Sequence, residues 1–174
     1  MQQIGFLGCG NMGGAILEGA LQSGQLEATQ VIVFDISAAA MQRMAALGVR
    51  LAADREELCR AADMIVVAVK PQYAEATLGG MADAFAGKCL LSIMAGVTSN
   101  RLREMTGGGA RVLRCMPNTP AMVLEGAFAL CADSDATAEE KALAEGIFAA
   151  QGIVEWIPER LIDAVCGLSG GGPA

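Results

Sequence analysis

The sequence predicts an α/β fold, a doubly wound and mainly parallel sheet with helices on both faces. Three observations lead there. The short apolar runs, such as MIVVAV at 64–69, show no polar alternation, which is how strands covered on both faces read. They alternate with segments of helical period. The first run leads directly into a glycine cluster, GCGNMGG at 8–14.

Taken in order, QIGFLG at 3–8 is the first strand. NMGGAILEGALQS at 11–23 is a helix with Met12, Ala15, Ile16, Gly19 and Ala20 on one face. QVIVFD at 30–35 is the second strand. A helix then starts at a Ser37 cap and stops at Gly48. DREELCRAA is a short helix, and DMIVVAVK at 63–70 a buried strand. The segment from Pro71 to Gly87 reads as one helix with proline in its first turn. KCLLSIMAG is a strand, TSNRLREMT a short helix capped by Thr98 or Ser99, and ARVLRCMP a strand. GAFALCA and GIVEWI flank a helix at about 137–150 and extend the sheet. The tail GLSGGGPA at 167–174 reads as a loop feeding a helix, which divides the chain into a domain at 1–166 and a stub at 167–174.

The chain has 174 residues, 53% hydrophobic and 18% charged, so disorder is excluded and one well-cored domain fits. A net charge of −7 disfavours nucleic acid as a partner. No uncharged apolar run approaches the ~18 residues of a membrane span, and the N-terminus has no basic region of a secretory signal. Six cysteines without a CxxC pair read as buried thiols, and the compartment as cytoplasmic. With no histidine and no clustered Cys, Asp or Glu ligands, no metal site is expected.

The glycine cluster contains Gly8, Gly10 and Gly13 in GxGxxG spacing, with Asn11 and Met12 between them. After a strand and before a helix, this is the dinucleotide fingerprint of a Rossmann-like domain. The first glycine makes the turn, the second admits a pyrophosphate, and the third lets helix and strand approach. Asp35 ends the second strand, 22 residues past Gly13, where an acid reaches the adenosine ribose hydroxyls; the alternative is a carboxylate capping the next helix. Ser37, Arg50 and Arg55 follow closely and leave the choice between NADH and NADPH open. Lys70 ends a buried strand in VAVKPQ, placed either at the ligand crevice or at an ordinary strand–helix junction. SIMAGV at 92–97 is another strand end, read equally as a cofactor contact or a close-packed turn. In RCMPNTPAM two prolines bracket Asn118 and Thr119 and stiffen them, for ligand positioning or as a plain connector.

IGFLGCGNMGGAI, AVKPQ, AGVTSNRLREM, RVLRCMPNTPAMVLEGAFALCA and AVCGLSGGGPA occur in this order, and together they resemble the pyrroline-5-carboxylate reductases, the last enzymes of proline biosynthesis. The resemblance covers essentially the whole chain, and MPNTPA followed by GLSGGGPA is its specific part. It implies an oxidoreductase using NADPH, or NADH, to reduce 1-pyrroline-5-carboxylate to L-proline. It also implies a homo-oligomer that dimerises through a further helical domain, absent from these 174 residues together with its substrate-binding loop. Carried over by position, Gly8 to Gly13 hold the pyrophosphate, and Asp35 to Ser37 sit at the adenosine ribose. Ala68, Val69, Lys70 and Pro71, with Ala95, Gly96 and Val97, line the nicotinamide half, and Asn118 lies nearby. No catalytic residue is assigned. Arg55, Asp35 and Gly171 depart from residues common in the family. An imine is basic enough to arrive protonated, so a chain without histidine suits imine better than carbonyl reduction. A hydroxyacid dehydrogenase on this fold, or a non-catalytic NAD(P)-binding module, stand as alternatives.

Overall fold

The structure, a computed structural model, describes residues 2–170. Its eight strands are β1 (Ile4–Leu7), β2 (Val31–Phe34), β3 (Arg50–Leu51), β4 (Met64–Val67), β5 (Cys89–Ser92), β6 (Arg111–Met116), β7 (Gly126–Cys131) and β8 (Gly152–Ile157). They form one sheet in the order β3-β2-β1-β4-β5-β6-β7-β8. Every pairing is parallel except β6 with β7, where Cys115 faces Leu130. The doubly wound, mainly parallel, Rossmann-like class therefore stands.

The helices are α1 (Asn11–Gln22), α2 (Ala38–Ala45), α3 (Arg55–Ala61), α4 (Ala74–Leu78), α5 (Ala82–Phe85), α6 (Ser99–Met105), α7 (Ala138–Ala149) and α8 (Ile162–Val165). Two apolar layers cover the sheet. Ile16 and Leu17 of α1, Met44 of α2 and Phe148 of α7 pack on one face. Leu58 of α3, Leu78 of α4, Phe85 of α5 and Leu102 of α6 pack on the other. Strands such as β4, buried at all four positions, carry side chains into both layers. Caps fall where short polar side chains precede the helices. Ser37 accepts from the Ala40 N–H, Asp54 from Glu57, Thr98 from Arg101, and Thr137 from Glu140 in a capping box.

Four details differ from the sequence-based expectations. The helix expected from Pro71 to Gly87 is broken: a 3-10 turn over Pro71–Tyr73 leads into α4, and α5 starts afresh after Gly79–Gly80. Gly80 sits at φ +81°, a conformation that cannot continue a helix. The buried residues of α1 are Gly13, Gly14, Ile16, Leu17, Gly19 and Ala20; Ile16, Gly19 and Ala20 fall where expected, while Met12 and Ala15 are only half-buried. β3 is a two-residue edge strand, too short for any period to mark. Finally, Cys166–Gly170 winds as a π-helical turn continuous with α8, where the glycine content suggests a loop. Gly171, Gly172 and Pro173 of the expected hinge lie outside the described residues.

Gln151 ties α1 to α7. Fully buried, its Nε2 donates to the Ile16 carbonyl at 3.0 Å and the Ile147 carbonyl at 2.9 Å. All six cysteines are free thiols, and five of them are buried. Among the described residues no helix is long and apolar enough to cross a membrane.

At the start of β6, the opposite end of the strands from the glycine cluster, Arg111 holds Glu140 at 2.6 Å. Burial alone raises the Glu140 carboxyl, but the hydrogen bonds from Arg111 and from the Thr137 N–H outweigh it and hold the group below its ordinary value. Asp135 and Glu159 are lowered in the same way. A carboxyl whose folded pKa is depressed stabilises the fold above its unfolded pKa and loses that contribution as pH falls through the folded value. Thermal stability is therefore expected to be flat from pH 7 to about 5 and to fall below about pH 4.5. Glu140→Gln should flatten part of that fall in a melting series, and an unchanged slope would count against the pairing.

Candidate functional site

The strand ends of β1, β4, β5 and β6 open on one side of the sheet, the place where ligands bind in doubly wound folds. Two depressions lie there, on either side of the Gly8–Gly10 turn. The larger is a cleft of about 770 Å³. The smaller is a pocket of about 470 Å³ between the end of β2 and α4. Val69 lines both, so the loop after β4 divides them.

The turn between them is built from the chain's smallest residues. A Cβ at Gly13 would strike the Gly8 carbonyl oxygen and approach Ala68 Cβ to 2.7 Å, so only glycine lets α1 come this close to the strands. A Cβ at Gly10, by contrast, meets nothing within 4 Å and points into open space. Gly10 is also the N-cap of α1, with no side chain capping it and no acidic residue in the first turn. The first amides of a twelve-residue helix are thus left without a side-chain acceptor, facing the cleft with the positive end of the helix dipole.

Asp35 and Arg43 clamp this turn from below. The Asp35 carboxylate accepts the Cys9 N–H at 2.6 Å and the Ser37 N–H at 2.8 Å. Arg43 Nη2 donates to the Cys9 carbonyl at 2.7 Å and to the Gly10 carbonyl at 3.2 Å, while its Nε lies 3.3 Å from Glu18. Cys9 itself is sealed; burial first, and then the Asp35 carboxylate, push its thiol up to about 12, so it is no nucleophile.

The residues singled out in the sequence divide as follows. Gly10, Asn11 and Met12 line the cleft on the α1 side, and Ala68, Val69, Lys70 and Pro71 line it after β4. Ala95 and Asn118 complete it after β5 and β6. Gly8 and Asp35 line the smaller pocket instead. Gly13 lies beneath the turn. Ser37 faces neither depression and caps α2, and Gly96 and Val97 form the turn into α6, with Val97 buried in the second apolar layer. Lys70 has no carboxylate within 4 Å among the described residues, which leaves a free ammonium at the cleft wall. Asn118 uses both ends of its amide: Oδ1 accepts the Ala127 N–H at 2.9 Å and Nδ2 donates to Ser169 Oγ at 3.1 Å.

The sequence reading missed several lining residues. Ile93, Met94, Met116 and Pro117 border the cleft and lie inside motifs already singled out, one or two positions away. Cys166 comes from the far end of the chain, next to Gly170, which lies in the tail GLSGGGPA that carries the resemblance and also lines the cleft. Tyr73 borders the smaller pocket, together with Arg55, the arginine weighed above beside Asp35, whose Nη1 donates to the Ala76 and Thr77 carbonyls. Arg43, inside α2, carried no local signal at all.

This arrangement suits an extended dianion with a ring system at each end. The uncapped amides offer donors between two depressions, one on each side of the turn. Residues 3–96, more than half of the chain, match the family described as NADP oxidoreductase coenzyme F420-dependent. The chain belongs to that family. Over 99% of its length it is also 36% identical to a pyrroline-5-carboxylate reductase of Methanosarcina acetivorans and 38% identical to that of Escherichia coli. It spans 65% of the length of each of these relatives. Among solved structures, a pyrroline-5-carboxylate reductase from Coxiella burnetii superposes with TM-score 0.92 at 31% identity, covering 99% of this chain and 65% of that one. The Plasmodium falciparum pyrroline carboxylate reductase, solved with NADP bound, superposes with TM-score 0.86 at 30% identity, covering 99% of this chain and 63% of that one. Imine reductases of Streptomyces aurantiacus and Myxococcus stipitatus, at 18–19% identity, share the fold.

Proposed function

We propose that this chain is the cofactor-binding portion of a reductase that uses NADPH, or NADH, to convert 1-pyrroline-5-carboxylate to L-proline in the cytoplasm. The observation that carries this reading is the pair of depressions meeting at the uncapped amides of α1. The resemblance of the whole chain to pyrroline-5-carboxylate reductases supports the substrate.

On this reading Gly8, Gly10, Asn11, Met12 and Gly13 form the pyrophosphate cradle. Asp35 borders the adenosine ribose through the lone pairs that its two backbone contacts leave free, with Ser37 fixing the loop behind it. A bound nicotinamide supplies the hydride for the ring C=N carbon. Ala68, Val69, Lys70 and Pro71 form one wall of its pocket and Ala95 with Asn118 the other, while Gly96 and Val97 shape the turn that presents Ala95. Lys70 offers a cation beside this half, and the rigid Pro117–Pro120 bracket holds Asn118 in place. No residue of the chain is assigned as proton donor, because an imine that arrives protonated needs positioning and charge more than an acid. The additional length of the relatives is where we look for the substrate-carboxylate loop and the homodimer surface.

Titration of the 174-residue chain with NADPH and NADH should give measurable binding, with little proline formation from pyrroline-5-carboxylate. Fusing the chain to the C-terminal portion of a relative should restore turnover. Absence of binding to either nucleotide would overturn the reading, and brisk turnover by the chain alone would overturn its division of labour.

A further inference from the structure

We propose that Arg114 is a positioning residue, whose buried guanidinium fixes Cys166–Gly170 as the far wall of the cleft. Its consequence for ligands rests on the cofactor-binding reading above; the structural link does not.

Arg114 stands in the middle of β6 with its side chain only 2% exposed. An arginine so deep needs partners, since an unpaired buried charge is strongly unfavourable. It has two. Nη1 lies 3.0 Å from Glu159 Oε1, and Nη2 lies 3.2 Å from Asp163 Oδ1. The carboxylates are four residues apart, one on the 3-10 turn Glu159–Leu161 and one on α8, so they fall on the same face of the helical segment. One planar fork reading two carboxylates sets the rotation of that segment about its axis. A slip of one residue would turn both acids away by about 100°. Glu159 also accepts the Ser99 N–H at 2.7 Å at the start of α6, which anchors the acid from a third side. Asp163 is 64% exposed, so Glu159 is the stronger partner.

What α8 positions is the cleft. The segment lies against β6 and β7 and continues into the π-helical turn, where Cys166 and Gly170 line the cleft and Ser169 accepts from Asn118. Met116, two residues beyond Arg114 on the same face of β6, lines the cleft too. A Cβ at Gly170 would lie 3.2 Å from Met116 Cε. Arg114, which fixes Cys166–Gly170, and Met116, which that segment meets at the cleft, are therefore mounted on one strand. An apolar side chain at 114 could fill the same volume, but it would not register α8.

The test compares wild type with Arg114→Met, Arg114→Lys and Glu159→Gln in the full chain. Two readouts are used: amide hydrogen exchange in the free protein, and affinity for NADPH against 2′-phospho-ADP-ribose, which lacks the nicotinamide. In Arg114→Met, exchange at residues 162–170 is expected to rise about tenfold, while the amides of β1 and α1 change less than about twofold. NADPH affinity is expected to fall about fivefold and that of 2′-phospho-ADP-ribose by less than about twofold, because only the nicotinamide side loses its wall. Arg114→Lys, which keeps the charge without the fork, should recover part of both effects. If Arg114→Met does not fold, Glu159→Gln decides by the same criteria. A folded variant with unchanged exchange at 162–170 overturns the proposal. So does an equal loss for both ligands, or an equal rise in exchange throughout the domain. Failure of wild type to bind either nucleotide would sink the cofactor reading, and the exchange result would still decide the role of Arg114.

Discussion

Alanine at Gly13 is expected to abolish NADPH binding and to destabilise the domain by about 1–3 kcal/mol, whereas alanine at Gly10 should weaken binding at least about tenfold with less than about 1 kcal/mol lost. The two glycines lie three residues apart and differ in what surrounds them. A methyl at Gly13 meets the Gly8 carbonyl and Ala68, backbone and short side chain with no rotamer to move, so α1 must shift off the sheet. The displaced amides then no longer converge on one point. A methyl at Gly10 meets no protein atom and leaves the fold intact, but it occupies the space over the uncapped amides where a phosphate would lie. Urea denaturation and calorimetric titration with NADPH measure the two effects separately. Normal affinity in Gly10→Ala would remove the phosphate from this turn, whatever Gly13→Ala does.

Phe148→Ala should cost about 3–5 kcal/mol, the range for deleting a fully buried aromatic ring. Phe148 of α7 is 0% exposed and stacks on Phe128 of β7, with ring centroids 4.8 Å apart and planes at 25°. Both rings belong to the same apolar layer as Phe6 of β1 and Ile16 of α1. The late β7–α7–β8 unit is thus packed into the layer that supports the glycine turn, not appended beside it. Against a total stability of about 5–15 kcal/mol, the loss is large enough to bring unfolding within easy reach of urea. Circular dichroism and loss of nucleotide binding should report one coincident transition. Two separated transitions would show that the last two strands melt alone, contrary to a single cooperative unit.

How much of this was legible in the sequence depended on how local each signal is. Strands such as MIVV at 64–67 were legible because a continuous apolar run needs no knowledge of its neighbours. The glycine turn was legible because spacing, preceding strand and following helix all sit within 20 residues. Asp35 was legible as a position and not as a geometry. Its offset gave the end of β2, but its two hydrogen bonds to backbone N–H groups come from a loop 26 residues upstream and from its own turn. Arg43 and Arg114 were illegible as site residues. An arginine in a helix or strand carries no local mark of the carbonyls or carboxylates it will meet, which here lie 34, 45 and 49 residues away in sequence. The break at Gly79–Gly80 is masked in the sequence by helical period on both sides, while the left-handed backbone that makes it sits at Gly80 alone.

The two depressions also differ in how far along the chain they reach. Everything that lines the smaller pocket lies between Leu7 and Thr77, whereas the cleft draws on residues from Gly10 to Gly170. During synthesis the smaller pocket has all of its lining residues before half of these 174 residues have emerged. The cleft must wait for α8 to return along β6, which closes loops of 45 and 49 residues between Arg114 and its two carboxylates. The site is therefore assembled in two instalments, and the half that would recognise the nucleotide's common handle is available well before the half that would present its reactive ring.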